Sequence, residues 1–290
     1  MIFVGCFDHW IKLSFGDEIE LDSLFFWIKR FCPSVSIDME IHKYEIEINC
    51  IKSDYYDLSE TDTTIQIYGN WLKSEDFLAK YVTQVMQKIL IKEKLLIIPA
   101  SCVEIEKNKC ILFIGDFWQG KTISAANFAN FYSKKMISDN YVMIRDGKVC
   151  GCSDYVSLPE IMVDRRDNSF YKKITVRNNR IFYERKEKMQ NGQELNIIGL
   201  FIPYVNKGMN DLRPITEEES IWFLYQKLTR LLCGETVLFH GELPTPCYLN
   251  YENSKTILQI VRRLLEKNTL IYVSSSIELM PKLIGEQIWE

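Results

Sequence analysis

The sequence lacks the patterns that most often build metal and hydrolase sites. No C-x-x-C pair occurs among its nine cysteines, and histidine is limited to His9, His42 and His240. A zinc site of the usual spacing is therefore not expected, and nothing in the pattern resembles a Ser-His-Asp or Cys-His hydrolase constellation. His42 reads as a turn residue, His9 as a surface or packing residue and His240 as part of a loop. Long apolar runs are also missing, since none approaches the roughly 18 residues that span a bilayer. The N-terminal MIFVGCFDHW has no basic start followed by an apolar stretch and a small-residue cleavage site. Nor is there an excess of positive charge: 35 Lys and Arg stand against 39 Asp and Glu, a formal charge of -4. That balance gives no bulk drive toward nucleic acid or anionic lipid. Together these absences predict a reduced, cytoplasmic protein that binds neither nucleic acid nor membrane. The one close thiol pair, Cys150-Gly-Cys152, reads as a turn with two incidental cysteines or as a redox or metal feature.

What is present is enough apolar material for a sizeable core, 47% of 290 residues with 13% aromatic, and length for roughly two domains. Residues 34–51 alternate apolar and polar with a phase switch at His42-Lys43, which predicts a strand pair or one bulged strand. TTIQIYG predicts a further strand. Ser74 then opens a helix whose stripe is Leu78, Tyr81, Val82, Val85 and Ile89. Residues 1–90 thus read as a small β-rich domain ending in a linking helix, and 91–290 as a second domain. From Leu95 the texture changes to continuous apolar runs, LLIIPASCVEI and KCILFIG, typical of strands covered on both faces. MISDNYVMI, LNIIGLFIPYV, PCYLNY and TLIYVSS read as strands, and ITVRNNRIFY as a hairpin turned at Asn178-Asn179. Thr216 with Glu219 predicts a capping box for a helix closed by Gly234, and Ile257, Val261, Leu264 and Leu265 mark another helix. The body is α/β with mixed strands.

Between KCILFI and the helix stripe Ala125, Phe128, Ala129 and Tyr132 lies G-D-F-W-Q-G-K-T, Gly115 to Thr122. Phosphate binding requires backbone N–H groups at a helix N-terminus, a mobile ammonium and a hydroxyl for Mg²⁺. Gly115 and Gly120 allow the backbone path, Lys121 supplies the charge and Thr122 the hydroxyl, in the spacing of a phosphate loop. Asp116, Phe117, Trp118, Gln119 and Ile123 complete the candidate nucleotide-binding stretch. Phe117 and Trp118 read as outward packing or as a wall of an acceptor pocket. One helix later, Asp139 stands where a metal-holding carboxylate is needed, followed by Asn140, which can orient a hydroxyl but cannot accept a proton. Asp116 and Glu104 are the other acids that could act as base. Arg165-Arg166 and Arg213 are candidate contacts for an acidic group.

The order P-A-S-C-V-E-I-E at 99–106, CILFIG, G-D-x-x-x-G-K-T, helix, ISDNYVMI, DGKVCG and SLPEI resembles the HPr serine kinase family. It is similar in particular to the HPr-kinase-like proteins encoded with ribosomally made peptides, including lasso-peptide tailoring kinases. The resemblance covers about residues 90–265, with NIIGLFIPYV, LRPITEEES and CYLNY in family order, and its specific motifs fall in 98–151. It implies a phosphoenolpyruvate carboxykinase-like P-loop domain behind the small β-rich domain, with ATP and Mg²⁺ as cofactors. The activity it implies is phosphorylation of a serine or threonine hydroxyl on a peptide or protein. Carried over, Gly115, Gly120, Lys121 and Thr122 match the loop and Asp139 the first acid of the family's pair. Pro99 stands where the family has histidine, Asn140 where it has a second acid, and Phe117-Trp118 where it has Ser-Gly. HPr itself is not the expected partner, and because HPr kinases are hexamers a homo-oligomer stays open. The alternative reading is a catalytically impaired nucleotide-binding module that recognises a precursor peptide or a partner enzyme.

Overall fold

The computed structural model describes all residues except 17, 41, 117–118, 160–170, 178–179, 188, 190–191, 209, 235–236 and 290. Phe117, Trp118, Arg165, Arg166 and the Asn178-Asn179 turn therefore lie outside the described residues. The chain opens with β1 (Ile2–Cys6), β2 (His9–Phe15), α1 (Leu21–Phe31), β3 (Val35–Asp38), β4 (Ile46–Lys52), β5 (Asp57–Glu60) and β6 (Thr64–Gly69). These strands form one sheet in the order β3-β1-β2-β4-β6-β5, in which β4 runs parallel to both β2 and β6. In β4 and β6 buried residues alternate with partly exposed ones, so one face meets the core. Residues 34–51 hold two strands, as the phase switch implied, but they are not a pair. β3 pairs with β1 and β4 with β2, which places the β1–β2 hairpin between them. The β-rich reading also overlooked α1, because its apolar stretch Leu24, Phe25, Phe26, Trp27 and Ile28 hides the helical period.

α2 (Glu75–Leu90) leads into β7 (Leu96–Glu106), β8 (Lys109–Ile114), α3 (Lys121–Phe131), β9 (Lys135–Ser138), β10 (Tyr141–Arg145) and β11 (Lys148–Cys152). β12 (Tyr155–Pro159), β13 (Tyr171–Arg177) and β14 (Arg180–Arg185) form a separate antiparallel sheet in the order β12-β14-β13. Then come β15 (Leu195–Val205), β16 (Asp211–Pro214), α4 (Glu217–Thr229), β17 (Val237–Leu238), β18 (Leu243–Pro244), α5 (Tyr251–Leu265), β19 (Leu270–Ser275) and α6 (Met280–Trp289). The main sheet runs β11-β10-β7-β8-β15-β19-β16, with β9 also on β7 and β11 also on β15. β15 is parallel to β8 and β19, while β7 is antiparallel to β8 and β10, so the sheet is mixed.

The continuous apolar runs follow from two-sided burial. In β8, Cys110, Leu112 and Ile114 join a core shared with the N-terminal sheet, whereas Ile111 and Phe113 face a second core with Phe128 of α3 and Ile284 of α6. The first core is continuous from Ile2 to Leu270 and so spans both sheets. α2 lies in its middle, with Leu78, Tyr81, Val82, Val85 and Ile89 all buried.

Several expectations are corrected. MISDNYVMI is two strands broken at Asp139-Asn140. PCYLNY is not a strand; its Asn250 instead caps α5, its side chain accepting from Asn253 N at 2.9 Å. Cys150 and Cys152 lie in strand β11, both buried, rather than in a turn. The capping box forms as the Thr216/Glu219 spacing implied. Gly234 follows α4 at a left-handed φ of 76°, where an added Cβ would sit 2.6 Å from the carbonyl oxygen of Thr245 and 3.0 Å from that of Pro246. Both neighbours are backbone and the φ is unsuited to an L side chain. Gly234→Ala is therefore expected to lower stability by about 2–3 kcal/mol, read as a shifted urea midpoint at unchanged m-value.

His9 of β2 bridges two carboxylates, Nδ1 to Glu45 at 2.6 Å and Nε2 to Glu93 at 3.0 Å. Burial pushes its pKa down, but the two carboxylates outweigh burial, and the folded value lies above the ordinary 6.5. A raised folded pKa stabilises below the unfolded value and the contribution vanishes as pH rises through the folded one. Urea midpoints measured from about pH 6 to 8 are expected to decline less steeply in His9→Gln than in the wild type.

Candidate functional site

The buried strand β8 delivers the chain to Gly115, and α3 starts six residues later. Gly120 caps the helix at φ 94°, and a Cβ there would meet Val205 Cγ2 at 2.6 Å, so both the backbone and the packing require glycine. The first helical bond runs from Ser124 N to Gly120 O. The amides of Lys121, Thr122 and Ile123 therefore precede it, at the positive end of the helix. The loop closes on itself: Asp116 N donates to Gln119 Oε1 at 2.5 Å, and a Cβ on Gly115 would collide with that same amide oxygen. Lys121 Nζ donates to the Asp116 carbonyl at 2.7 Å. Burial pushes the Lys121 ammonium down to about 8. Asp139 and Asp116 oppose that shift, while Arg230 and Lys227 add to it.

Asp139 is fully buried and is the acceptor at the centre of the site. Its Oδ1 receives Thr122 Oγ1 at 2.5 Å and Ser101 Oγ at 3.4 Å; its Oδ2 receives Ser157 Oγ at 2.8 Å and Ser157 N at 3.2 Å. Arg180 holds Ser157 in turn, Nη2 to its carbonyl at 2.8 Å and Nε to its hydroxyl at 3.2 Å. The carboxylate reaches the loop because β9 and β10 are separated by a local break. Register with β7 is kept across it, Ser138 opposite Cys102 and Tyr141 opposite Pro99, while Asn140 takes a left-handed φ of 80°. Pro99, opposite Tyr141 at the first residue of β10, has no N–H to give the ladder. Pro99 is thus a strand residue beside Tyr141 and supplies no proton-transfer group.

With its amide oxygen turned to Arg30, Asn140 accepts from Nε at 3.0 Å and Nη2 at 3.1 Å. Arg30 comes from α1 of the N-terminal unit and is only 9% exposed, its guanidinium 4.6 Å from the Phe182 ring centre. Burial lowers its pKa to about 10, Asp139 opposing the shift. The N-terminal unit therefore contributes directly to the turn that carries Asp139.

Asp116 is not a free base. Its half-exposed carboxylate is gripped through Oδ1 by Lys227 at 2.5 Å and Arg230 at 3.3 Å, both from α4. Glu104 sits opposite Cys110 and Lys135, at the other end of the β7–β8 hairpin from the loop, and is not brought to the site. Arg213 is likewise remote, on edge strand β16 beside Asp211. Lys227, Arg230, Arg30, Ser101 and Ser157 were not singled out in the sequence. Only Lys227-x-x-Arg230, a basic pair on adjacent turns of a helix with an acidic start, left a legible signal.

A hydroxyl and a carboxylate in contact are hard oxygen donors that suit Mg²⁺, which takes few protein ligands and fills its octahedron with water and phosphate oxygens. Thr122 and Asp139 fit that role. Among the described residues no group of three His, Cys, Asp or Glu is placed to hold a metal ion by itself, and no helix is long and apolar enough to cross a membrane. No known protein-family model matches the chain, and no curated protein is significantly similar to it.

Proposed function

We propose that the chain is an ATP- and Mg²⁺-dependent phosphotransferase acting on a serine or threonine hydroxyl of a ribosomally made peptide or a protein. The reading is carried by one arrangement: the Thr122 hydroxyl against the buried Asp139 carboxylate, at the mouth of a helix whose first residue is the partly buried Lys121. In this role the amides of 121–123 and the Lys121 ammonium bind phosphate oxygens, and Thr122 and Asp139 hold the metal. Held there by Thr122 and Asp139, Mg²⁺ would supply positive charge against the phosphate oxygens. Lys227 and Arg230 lie one carboxylate away and add positive potential at the loop.

Proton transfer is the weaker part of this site. Asp139 already accepts from four donors, and Asn140 has its oxygen turned to Arg30. A general base contributes about 10²- to 10⁴-fold, so positioning and charge neutralisation would carry the reaction. The same observation favours a second reading, a nucleotide-binding module that recognises a precursor peptide or partner enzyme without transferring phosphate. Incubation with Mg-ATP and candidate peptides separates the two, with ADP release and intact peptide mass as readouts. Nucleotide-dependent thermal stabilisation with neither ADP nor phosphopeptide leaves the module, and no stabilisation by any nucleotide removes both.

A further inference from the structure

All nine cysteines fall among the described residues, and they divide sharply. Cys6, Cys32, Cys50, Cys102, Cys110, Cys150 and Cys152 are buried, whereas Cys233 and Cys247 are exposed. Fourteen positions apart in sequence, the two exposed thiols are neighbours in space. Tyr248 N donates to Leu232 O at 2.6 Å, and Gly234 lies against the carbonyls of Thr245 and Pro246. The two segments therefore run antiparallel, Leu232 beside Tyr248 and Gly234 beside Pro246, which sets Cys233 opposite Cys247. The hydrogen bond joins the peptide unit between 232 and 233 to that between 247 and 248. Facing Cα atoms at such an antiparallel junction are roughly 4.5–5.5 Å apart, inside the roughly 4.4–6.8 Å that a disulfide spans.

We propose that Cys233 and Cys247 form a redox-active dithiol whose co-reactant is a small-molecule disulfide of the oxidised glutathione type. One thiol loses its proton and attacks a sulfur of the small disulfide, forming a mixed disulfide and releasing one thiolate. The second cysteine, deprotonated in turn, attacks the protein sulfur of that mixed disulfide and releases the other thiolate. The protein gains one S–S bond and loses two hydrogens, while the small disulfide is reduced to two thiols. Closure would tie the end of α4 to the segment that leads into α5. Cys233 is three residues beyond Arg230 and six beyond Lys227, the two cations that grip Asp116 in the loop. The dithiol therefore lies just past the C-terminal end of the helix that delivers positive charge to the candidate site, and its chemistry does not depend on the proposed phosphotransfer.

The full chain, reduced and freed of reductant, would be incubated at about pH 9, because burial raises the Cys233 thiol above its ordinary value and the attacking species is the thiolate, with increasing oxidised glutathione. Before oxidation two thiols should react with an aromatic disulfide reagent under native conditions, and afterwards none. The mass should fall by two hydrogens with no glutathione attached, one Cys233–Cys247 cross-linked peptide should appear on digestion, and dithiothreitol should restore both thiols. Cys233→Ser and Cys247→Ser should each retain one glutathione on the remaining cysteine. Glutathione adducts persisting on the wild type, a cross-link through a different cysteine, or unchanged disulfide formation in Cys233→Ser would each overturn the proposal.

Discussion

Lys121→Met is expected to abolish stabilisation by Mg-ATP while leaving the nucleotide-free protein as stable as the wild type or slightly more so. The two halves of this result have separate causes. Without nucleotide, the ammonium is partly buried and donates to the carbonyl of Asp116, and burial pushes its pKa down to about 8. Removing a charge that the fold holds at a cost, while keeping a side chain of similar length, should not weaken packing. With nucleotide, on the proposed reading, the ammonium would be the loop's mobile counter-charge for phosphate oxygens. Its loss is expected to lower kcat/KM by about 10²- to 10³-fold, the scale for removing one preorganised charge-stabilising donor. Melting curves with and without Mg-ATP read both halves at once. A variant that melts well below the wild type without nucleotide, and responds to nucleotide as the wild type does, would make Lys121 a loop brace and sink its assigned role.

Asp139→Ala is expected to be costly in both respects. The carboxylate receives Thr122, Ser101 and both donors of Ser157, and it is a counter-charge to Arg30 and Lys121. Removing one partner from a buried charged network leaves the others unpaired, which typically costs about 3–5 kcal/mol. Asp139→Asn keeps the shape and loses the charge, so it should retain more of the stability, with a deficit of about 1–3 kcal/mol because its amide N–H₂ must face a donor. Both variants should lose metal-dependent nucleotide binding. Denaturant midpoints separate the two variants, and calorimetric titration with Mg-ATP tests the shared loss; tight Mg-ATP binding by Asp139→Asn would remove Asp139 from the metal.

The phosphate-loop candidate was legible in sequence because its constraints are local. Gly120 must be left-handed and tightly packed, and Lys121, Thr122 and the helix behind them follow within a few residues. Asp139 was legible for a related reason, since one helix and one strand bring it back to the loop. The partners that hold it were not. Ser101 and Ser157 are ordinary serines in apolar strands, and Arg30 lies in the last turn of α1, a helix the sequence pattern concealed, more than a hundred positions away. Nothing in local periodicity reports such a contact, because it is made by tertiary docking. The broken strand at 139–140 was concealed for a different reason: SDN is a short polar interruption in an apolar run, and a single left-handed residue, Asn140, leaves little trace in the pattern.

The docking of Arg30 onto Asn140 also bears on how this chain could be recombined. An exchange of the first sheet for one from another protein would preserve the loop, Thr122 and Asp139 in sequence, yet it would withdraw the guanidinium that meets the 139–140 turn. A successful graft must bring an arginine at the same turn of α1, together with aromatic neighbours equivalent to Trp27 and Phe31 that now flank it. The first sheet and the turn that carries Asp139 are thus coupled through one guanidinium, and a change to either has to accommodate the other.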